Sequence, residues 1–316
     1  MADNILKAVN LSKWYGEVIG LNTFNLEVKP GITGIVGPNG AGKSTLFKLS
    51  TGMIKPNTGD IKILGEKPWL NNRLYSKIGF CPDYDNLPDD STGYDFLRLT
   101  GGLKGMEGGH LESRIEEVVS TVGMKKALGR KIGGYSKGMR QRIKLAGALL
   151  HDPDLLFLDE PLSGADPKVR KGLINVIKEL NTKQGHDIIV TSHVLYEIER
   201  MTRDVALIYK GRAVASGDIS EIRGLIDKHP HNIIIKGTGM GSLAKRLIDE
   251  EYVVSVRFEG DRTGKKKNLK VEVTKPDDFF TDIPAMIAEM DTEIDMMYSL
   301  DDNLEAVFKY LVGGKT

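Results

Sequence analysis

The residues Gly37-Pro38-Asn39-Gly40-Ala41-Gly42-Lys43-Ser44 fit the spacing G-x-x-x-x-G-K-[ST]. Glycines at those places let the backbone curl until successive N–H groups point inward at phosphate oxygens. A helix that follows adds the positive end of its dipole. In this pattern Lys43 reaches the β- and γ-phosphates, and the Ser44 hydroxyl ligates Mg²⁺. A chance glycine-rich turn is the competing explanation; an apolar run before the loop and a helical pattern after it weigh against that. A second constellation lies further on, where Leu155-Leu156-Phe157-Leu158 ends in Asp159-Glu160. Two carboxylates at a buried strand tip are costly unless something compensates them. A Mg²⁺-nucleotide does so: Asp159 is placed to hold the metal, directly or through water. Glu160 points elsewhere and can polarise a water for in-line attack on the γ-phosphate. Acids also mark strand ends as helix caps or exposed turns, so the pair draws its meaning from the phosphate loop.

These side chains need rigid elements to aim them. Residues 5–9 and 23–28 alternate apolar and polar, and Pro30-Gly31 closes the run, which reads as antiparallel strands. A buried strand over 32–36 and a helix over 42–49 flank the loop. Residues 94–128 are helical in pattern, with breaks expected at Gly101-Gly102 and Gly108-Gly109. A helix over 139–150 stops near Asp152-Pro153. The strand 155–158, a helix 167–183 opened by Pro167, a strand 187–191, a helix 194–201 and a strand 205–209 follow. Strand and helix alternate, so the core is expected to be a largely parallel sheet flanked by helices, an α/β fold. Beyond residues 223–230 the pattern changes to βαββαβ, with a final helix over 304–312. That order predicts a small ferredoxin-like α+β domain. Its basic loop Lys265-Lys266-Lys267 reads as a solvated hairpin tip, with membrane-headgroup contact as the other option.

Further segments line up in order around these two sites. Tyr135-Ser136-Lys137-Gly138-Met139-Arg140-Gln141-Arg142 precedes the carboxylate strand, Ser163-Gly164-Ala165-Asp166-Pro167 follows it, and Thr191-Ser192-His193 ends the next strand. Over residues 1 to about 220 the set resembles the ATP-binding cassette (ABC) ATPases. The resemblance implies a phosphate-loop cassette with a RecA-like core, an N-terminal β region and a helical lobe at about 85–150. The expected division is a cassette at 1–222 and an accessory domain at 230–316. It further implies that two copies close head to tail around two ATP molecules. In that reading Gly37, Pro38, Asn39, Gly40, Ala41, Gly42, Lys43, Ser44 and Thr45 cradle the nucleotide, and Tyr15 stacks on adenine. A flat π face accepts a purine without reading its edge; the same tyrosine also suits an edge strand as a packing residue. Ser136 and Gly138 match the signature segment L-S-G-G-Q, here Tyr-Ser-Lys-Gly-Met, and act on the opposing subunit's phosphate. Lys137 either adds positive charge there or faces water. Asp166 matches the loop linking the two sites, while also suiting an ordinary helix cap. His193 matches the switch histidine that contacts the γ-phosphate and orients Glu160. Where the family usually has Gln, this chain has Asp83, a hard oxygen ligand on a shorter side chain. It is expected to reach the metal together with Ser44 and Asp159, or else to cap a turn.

Composition narrows the setting. The chain has 316 residues with 44 Lys or Arg, 43 Asp or Glu, and a formal net charge of +1. Near-neutral charge argues against bare nucleic acid as the main partner. Hydrophobic residues make up 40% and charged residues 28%, which excludes wholesale disorder. One cysteine, Cys81, makes no internal disulfide and fits a reducing compartment. The start MADNILKAVN lacks the apolar core of a secretion signal, and no run approaches the roughly 18–20 apolar residues of a membrane span. A membrane role would therefore need a separate membrane partner, such as a transmembrane permease subunit, or surface docking. The resemblance is to the drug, antibiotic or sodium export branch (ABC-2 type), which implies a peripheral ATPase at the cytoplasmic membrane face. The alternative is a soluble ABC ATPase acting on ribosomes or DNA; it lacks support from a second cassette, long heptad insertions or a basic excess.

Overall fold

A computed structural model describes residues 4–226, 230–259, 268–290 and 292–299. The chain divides into two compact units, Met1–Ile219 and Ser220–Thr316. The first opens with β1 (Leu6–Tyr15), β2 (Val18–Val28), β3 (Ile32–Val36), α1 (Lys43–Ser50), β4 (Thr58–Ile63), α2 (Asn72–Tyr75) and β5 (Ile78–Cys81). Then come α3 (Gly93–Leu103), α4 (Gly108–Thr121), α5 (Lys137–Leu149), β6 (Leu155–Leu158), α6 (Pro167–Thr182) and β7 (Asp187–Ser192). It continues through α7 (Leu195–Glu199), β8 (Asp204–Tyr209) and β9 (Arg212–Asp218). Helix α8 (Ile219–Ile226) begins at the boundary between the units.

A six-stranded sheet runs β5-β6-β7-β3-β8-β9, parallel except for the antiparallel edge pair β8 and β9. Its interior strands β3 and β6 are buried along their whole length, which is why they read as short, mostly apolar runs without polar alternation. A smaller antiparallel sheet, β2-β1-β4, packs over the same core. The Phe47 ring on α1 meets Phe157 on β6 edge to face at 5.2 Å, fixing the helix that carries the phosphate loop to the strand that carries the carboxylates.

Several expectations need correction. Strands β1 and β2 are longer than the alternation suggested, because left-handed residues at Asn10 and Thr23 (φ 49° each) break the alternation without ending the strands. Neither β4 nor β9 was foreseen. Gly101 and Gly102 do not break a helix; they lie inside α3. A Cβ at Gly101 would stand 2.3 Å from Leu111 Cδ1 on α4, so this glycine serves close helix packing. Helix α5 starts two residues earlier than expected, at Lys137, because Ser136 caps it by accepting the Met139 N–H.

The second unit contains β10 (His231–Gly237), α9 (Met240–Leu247), β11 (Val253–Glu259), β12 (Asn268–Val273), α10 (Pro276–Ala288) and β13 (Ile294–Ser299). The strands form one antiparallel sheet ordered β11-β12-β10-β13. Ile233, Ile235, Leu269 and Val271 bury one face against Leu243, Leu247, Phe279 and Ile283 of the helices. The expected helix over 304–312 and the basic loop Lys265-Lys266-Lys267 lie outside the described residues.

Candidate functional site

Strand β3 delivers the chain into the glycine loop, and sterics dictate its glycines. A Cβ at Gly37 would meet the Ile208 carbonyl oxygen at 2.3 Å. Gly42 sits at φ 110°, where a Cβ would also meet the Gly20 oxygen at 2.6 Å. Helix α1 then starts at Lys43, whose side chain is buried and curls back over its own loop. Its Nζ donates to the Gly37 oxygen at 2.6 Å and the Pro38 oxygen at 3.3 Å, and stands 3.1 Å from Glu160 Oε1. A cleft of about 290 Å³ opens here, lined by Asn39 to Thr45, by Val18 to Gly20, and by Asp83 and Glu160.

The carboxylates stand at the tip of β6. Asp159 is buried, and that burial pushes its carboxyl above the usual range. Hydrogen bonds from the Thr191 and Ser44 hydroxyls act in the opposite direction, and the charges of Asp83 and Glu160 push it further up. Glu160 adopts a left-handed backbone conformation, φ 46°, that directs its side chain to a different quarter from its neighbour's. Its Oε1 faces Lys43, and its Oε2 lies 2.8 Å from His193 Nδ1. The sequence reading assigned nothing to Thr191, yet this buried hydroxyl bridges both acids. It donates to Asp159 Oδ1 at 2.7 Å and accepts the Glu160 N–H at 2.8 Å. The signal was the register of two parallel strands: Leu158 pairs with Val190, which puts Thr191 beside Asp159.

Ser44, Asp159 and Asp83 offer hard oxygen donors, and the negative charges crowded on Asp159 call for a compensating cation, so the residues fit Mg²⁺. Among the described residues no group of three or more His, Cys, Asp or Glu side chains is arranged to hold a metal alone. Mg²⁺ is commonly bound by one or two carboxylates with substrate phosphates completing its shell. Tyr15 ends β1 with its ring half exposed, against Gly20 at the rim of the cleft; a Cβ at Gly20 would sit 2.9 Å from its Cε2.

Ser136, Gly138 and Asp166 form a separate cluster, and none of them lines the cleft. Ser136 caps α5, Asp166 caps α6, and a Cβ on Gly138 would stand 2.4 Å from Val169 Cγ1, so the two helix starts are closely apposed. Lys137 lies across Gly164 in the loop before α6. A partly buried network then runs back toward His193. Arg170 donates to the Ala165 oxygen at 2.8 Å and to Glu197 Oε1 at 3.0 Å, while the Ser192 hydroxyl donates to Glu197 Oε2 at 2.9 Å. A groove of about 600 Å³ lies between β5 and the helices α3 and α5, with Phe80, Pro82, Phe96 and His151 among its walls.

Among the described residues no helix is long and apolar enough to cross a membrane. The family described as ABC transporter matches residues 21–163. The bacitracin transport ATP-binding protein BcrA of Enterococcus faecalis is 30% identical over 312 residues, which is 98% of this chain and 97% of that protein. The Nod factor export ATP-binding protein I of Cupriavidus metallidurans is 33% identical over 220 residues, 69% of this chain and 72% of that one. Among solved structures, the dimeric structure of a bacterial ABC transporter cassette superposes with a TM-score of 0.62 at 25% identity, covering 68% of this chain and 98% of that one.

Proposed function

The chain belongs to the ABC transporter family as an ATP-binding subunit, and from that premise we propose that it hydrolyses ATP to drive export through a separate permease. Residues 1–222 are the motor in this reading and 230–316 an accessory domain. Tyr15 stacks on the adenine. The backbone from Gly37 to Thr45 wraps the phosphates, and Lys43 neutralises their charge. Ser44, Asp159 and Asp83 hold Mg²⁺, which when bound offsets charge on the phosphate oxygens. Glu160 accepts a hydrogen bond from the attacking water and draws its proton away as the water oxygen bonds to the γ-phosphorus. The bond to the β–γ bridging oxygen breaks, and ADP and phosphate leave. His193 holds Glu160 in that orientation. A second copy supplies Ser136, Gly138 and Asp166 to complete each site. The assembly works at the cytoplasmic face of a membrane.

The observation that carries this reading is the placement of Glu160. One carboxylate oxygen faces the phosphate-loop lysine and the other faces His193, at the wall of the cleft. For the second copy, the support is that Ser136 and Gly138 stand outside their own chain's cleft and that a related cassette is dimeric. Export is supported by the likeness to a protein of Nod factor export. Replacing Glu160 by Gln keeps the size and removes the basic oxygen, so ATP binding is expected to persist while hydrolysis falls about 10²-fold or more. Turnover at the parent rate in a phosphate-release assay would overturn the assignment.

A further inference from the structure

We propose that Lys144 is a positioning residue that ties the loop bearing Asp83 to helix α5, so that movement of α5 sets where the Asp83 carboxylate stands. The proposal deepens the reading above and rests on its roles for Asp83 and Ser136.

Lysine is rarely buried unless its ammonium is fully engaged. Lys144 is only 7% exposed, midway along α5. Its Nζ donates to three successive carbonyl oxygens, those of Pro82 at 2.9 Å, Asp83 at 3.2 Å and Tyr84 at 3.2 Å. An ammonium has three protons, so donors and acceptors match. Three consecutive carbonyls converge on one point only if the backbone curls around it. The conformation that presents the Asp83 side chain is therefore held by a side chain from the helical lobe. Because a charge assists each of these hydrogen bonds, they are stronger than neutral ones.

One helical turn earlier, on the same face of α5, Arg140 extends the grip. Its guanidinium donates to Asp85 at 2.7 Å, to Asp89 at 2.6 Å and to the Ile132 oxygen at 2.9 Å. Two cations of one helix thus fasten residues 82–89 along their length. Ser136 is the N-cap of that same helix. At the other end of the connection, Asp83 lines the cleft with Ser44 and Glu160, and its charge acts on Asp159. Engagement of Ser136 by the opposing nucleotide would shift α5, and Lys144 would carry the shift to Asp83.

The test is a double-mutant cycle in the full 316-residue chain: Lys144→Met, Asp83→Ala and the pair, assayed for ATP turnover across a Mg²⁺ titration. Lys144→Met is expected to lower kcat about 10-fold and raise the Mg²⁺ needed for half-maximal rate, with the affinity for a fluorescent ATP analogue nearly unchanged. Lys144→Arg, which keeps the donors, should recover most of the rate. In the Asp83→Ala background Lys144→Met should add little. Equal fold-losses in both backgrounds would reduce Lys144 to a packing role and overturn the proposal. If Asp83→Ala shifts rate and Mg²⁺ requirement while Lys144→Met shifts neither, Lys144 alone is misassigned. If Asp83→Ala changes nothing, the Asp83 reading fails and the Lys144 proposal falls with it. Should Lys144→Met fail to fold, Lys144→Gln, which keeps one donor arm, takes its place in the same cycle.

Discussion

Glu160 occupies a backbone conformation that a non-glycine residue adopts at some cost, φ 46°. That conformation persists because its N–H is anchored on the Thr191 hydroxyl and its side chain is held at both oxygens. The residue types of the site were legible in the chain because phosphate chemistry demands them at fixed spacing: glycines, a lysine and a hydroxyl in the loop, then two acids after an apolar strand. Thr191 was not legible as a site residue, since its role comes from the register of β7 against β6 and not from any neighbour in sequence. Substituting Val for Thr191 keeps the shape and removes the hydroxyl. It leaves the Glu160 N–H and one Asp159 oxygen without this partner, a loss of about 1–3 kcal/mol for buried groups. We expect a lower melting temperature and a kcat reduced more than ATP affinity. An unchanged kcat would show that the bridge does not position Glu160.

At the scale of elements, the strands that deliver the site and their parallel neighbours were readable, and two edge strands were not. β3 and β6 are interior strands, so burial on both faces writes itself as mostly apolar runs. β4 and β9 lie at sheet edges, where polar residues are tolerated and the pattern fades. The glycines of α3 were misread because a glycine that breaks a helix and one that admits a neighbouring helix look alike in sequence. The two meanings predict opposite outcomes for Gly101→Ala. Helix propensity alone favours alanine by about 1 kcal/mol. The added Cβ, 2.3 Å from the side chain of buried Leu111, forces overpacking worth roughly 1–3 kcal/mol in the other direction. We expect packing to win and the melting temperature to fall; a rise would restore the helix-breaker reading. β5 offers a second check. Burial pushes the Cys81 thiol up to about 12, so thiolate, the reactive form, is scarce at pH 8. Because this is the only cysteine, Ellman's reagent should titrate nothing in the native protein and one thiol in denaturant. Rapid native labelling would mean that the end of β5 opens.

At the scale of the whole molecule, the proposed chemistry is divided between two clusters. One holds the phosphate loop, the carboxylates and His193; the other holds Ser136, Gly138 and Asp166 at the starts of α5 and α6. Local capping explains why the second cluster folds as it does, and the proposed facing copy would account for what else it serves. A net charge of +1 sets little long-range repulsion against such pairing. The expectation of such a division comes only from the family resemblance, since nothing in composition or periodicity marks a site as half of a pair. The most direct test is the molar mass of Glu160→Gln by light scattering, with and without Mg-ATP. The account predicts 34.8 kDa alone and about twice that with Mg-ATP, and no shift when Lys43→Ala is added. A Glu160→Gln chain that binds the nucleotide yet keeps its single-chain mass would contradict it.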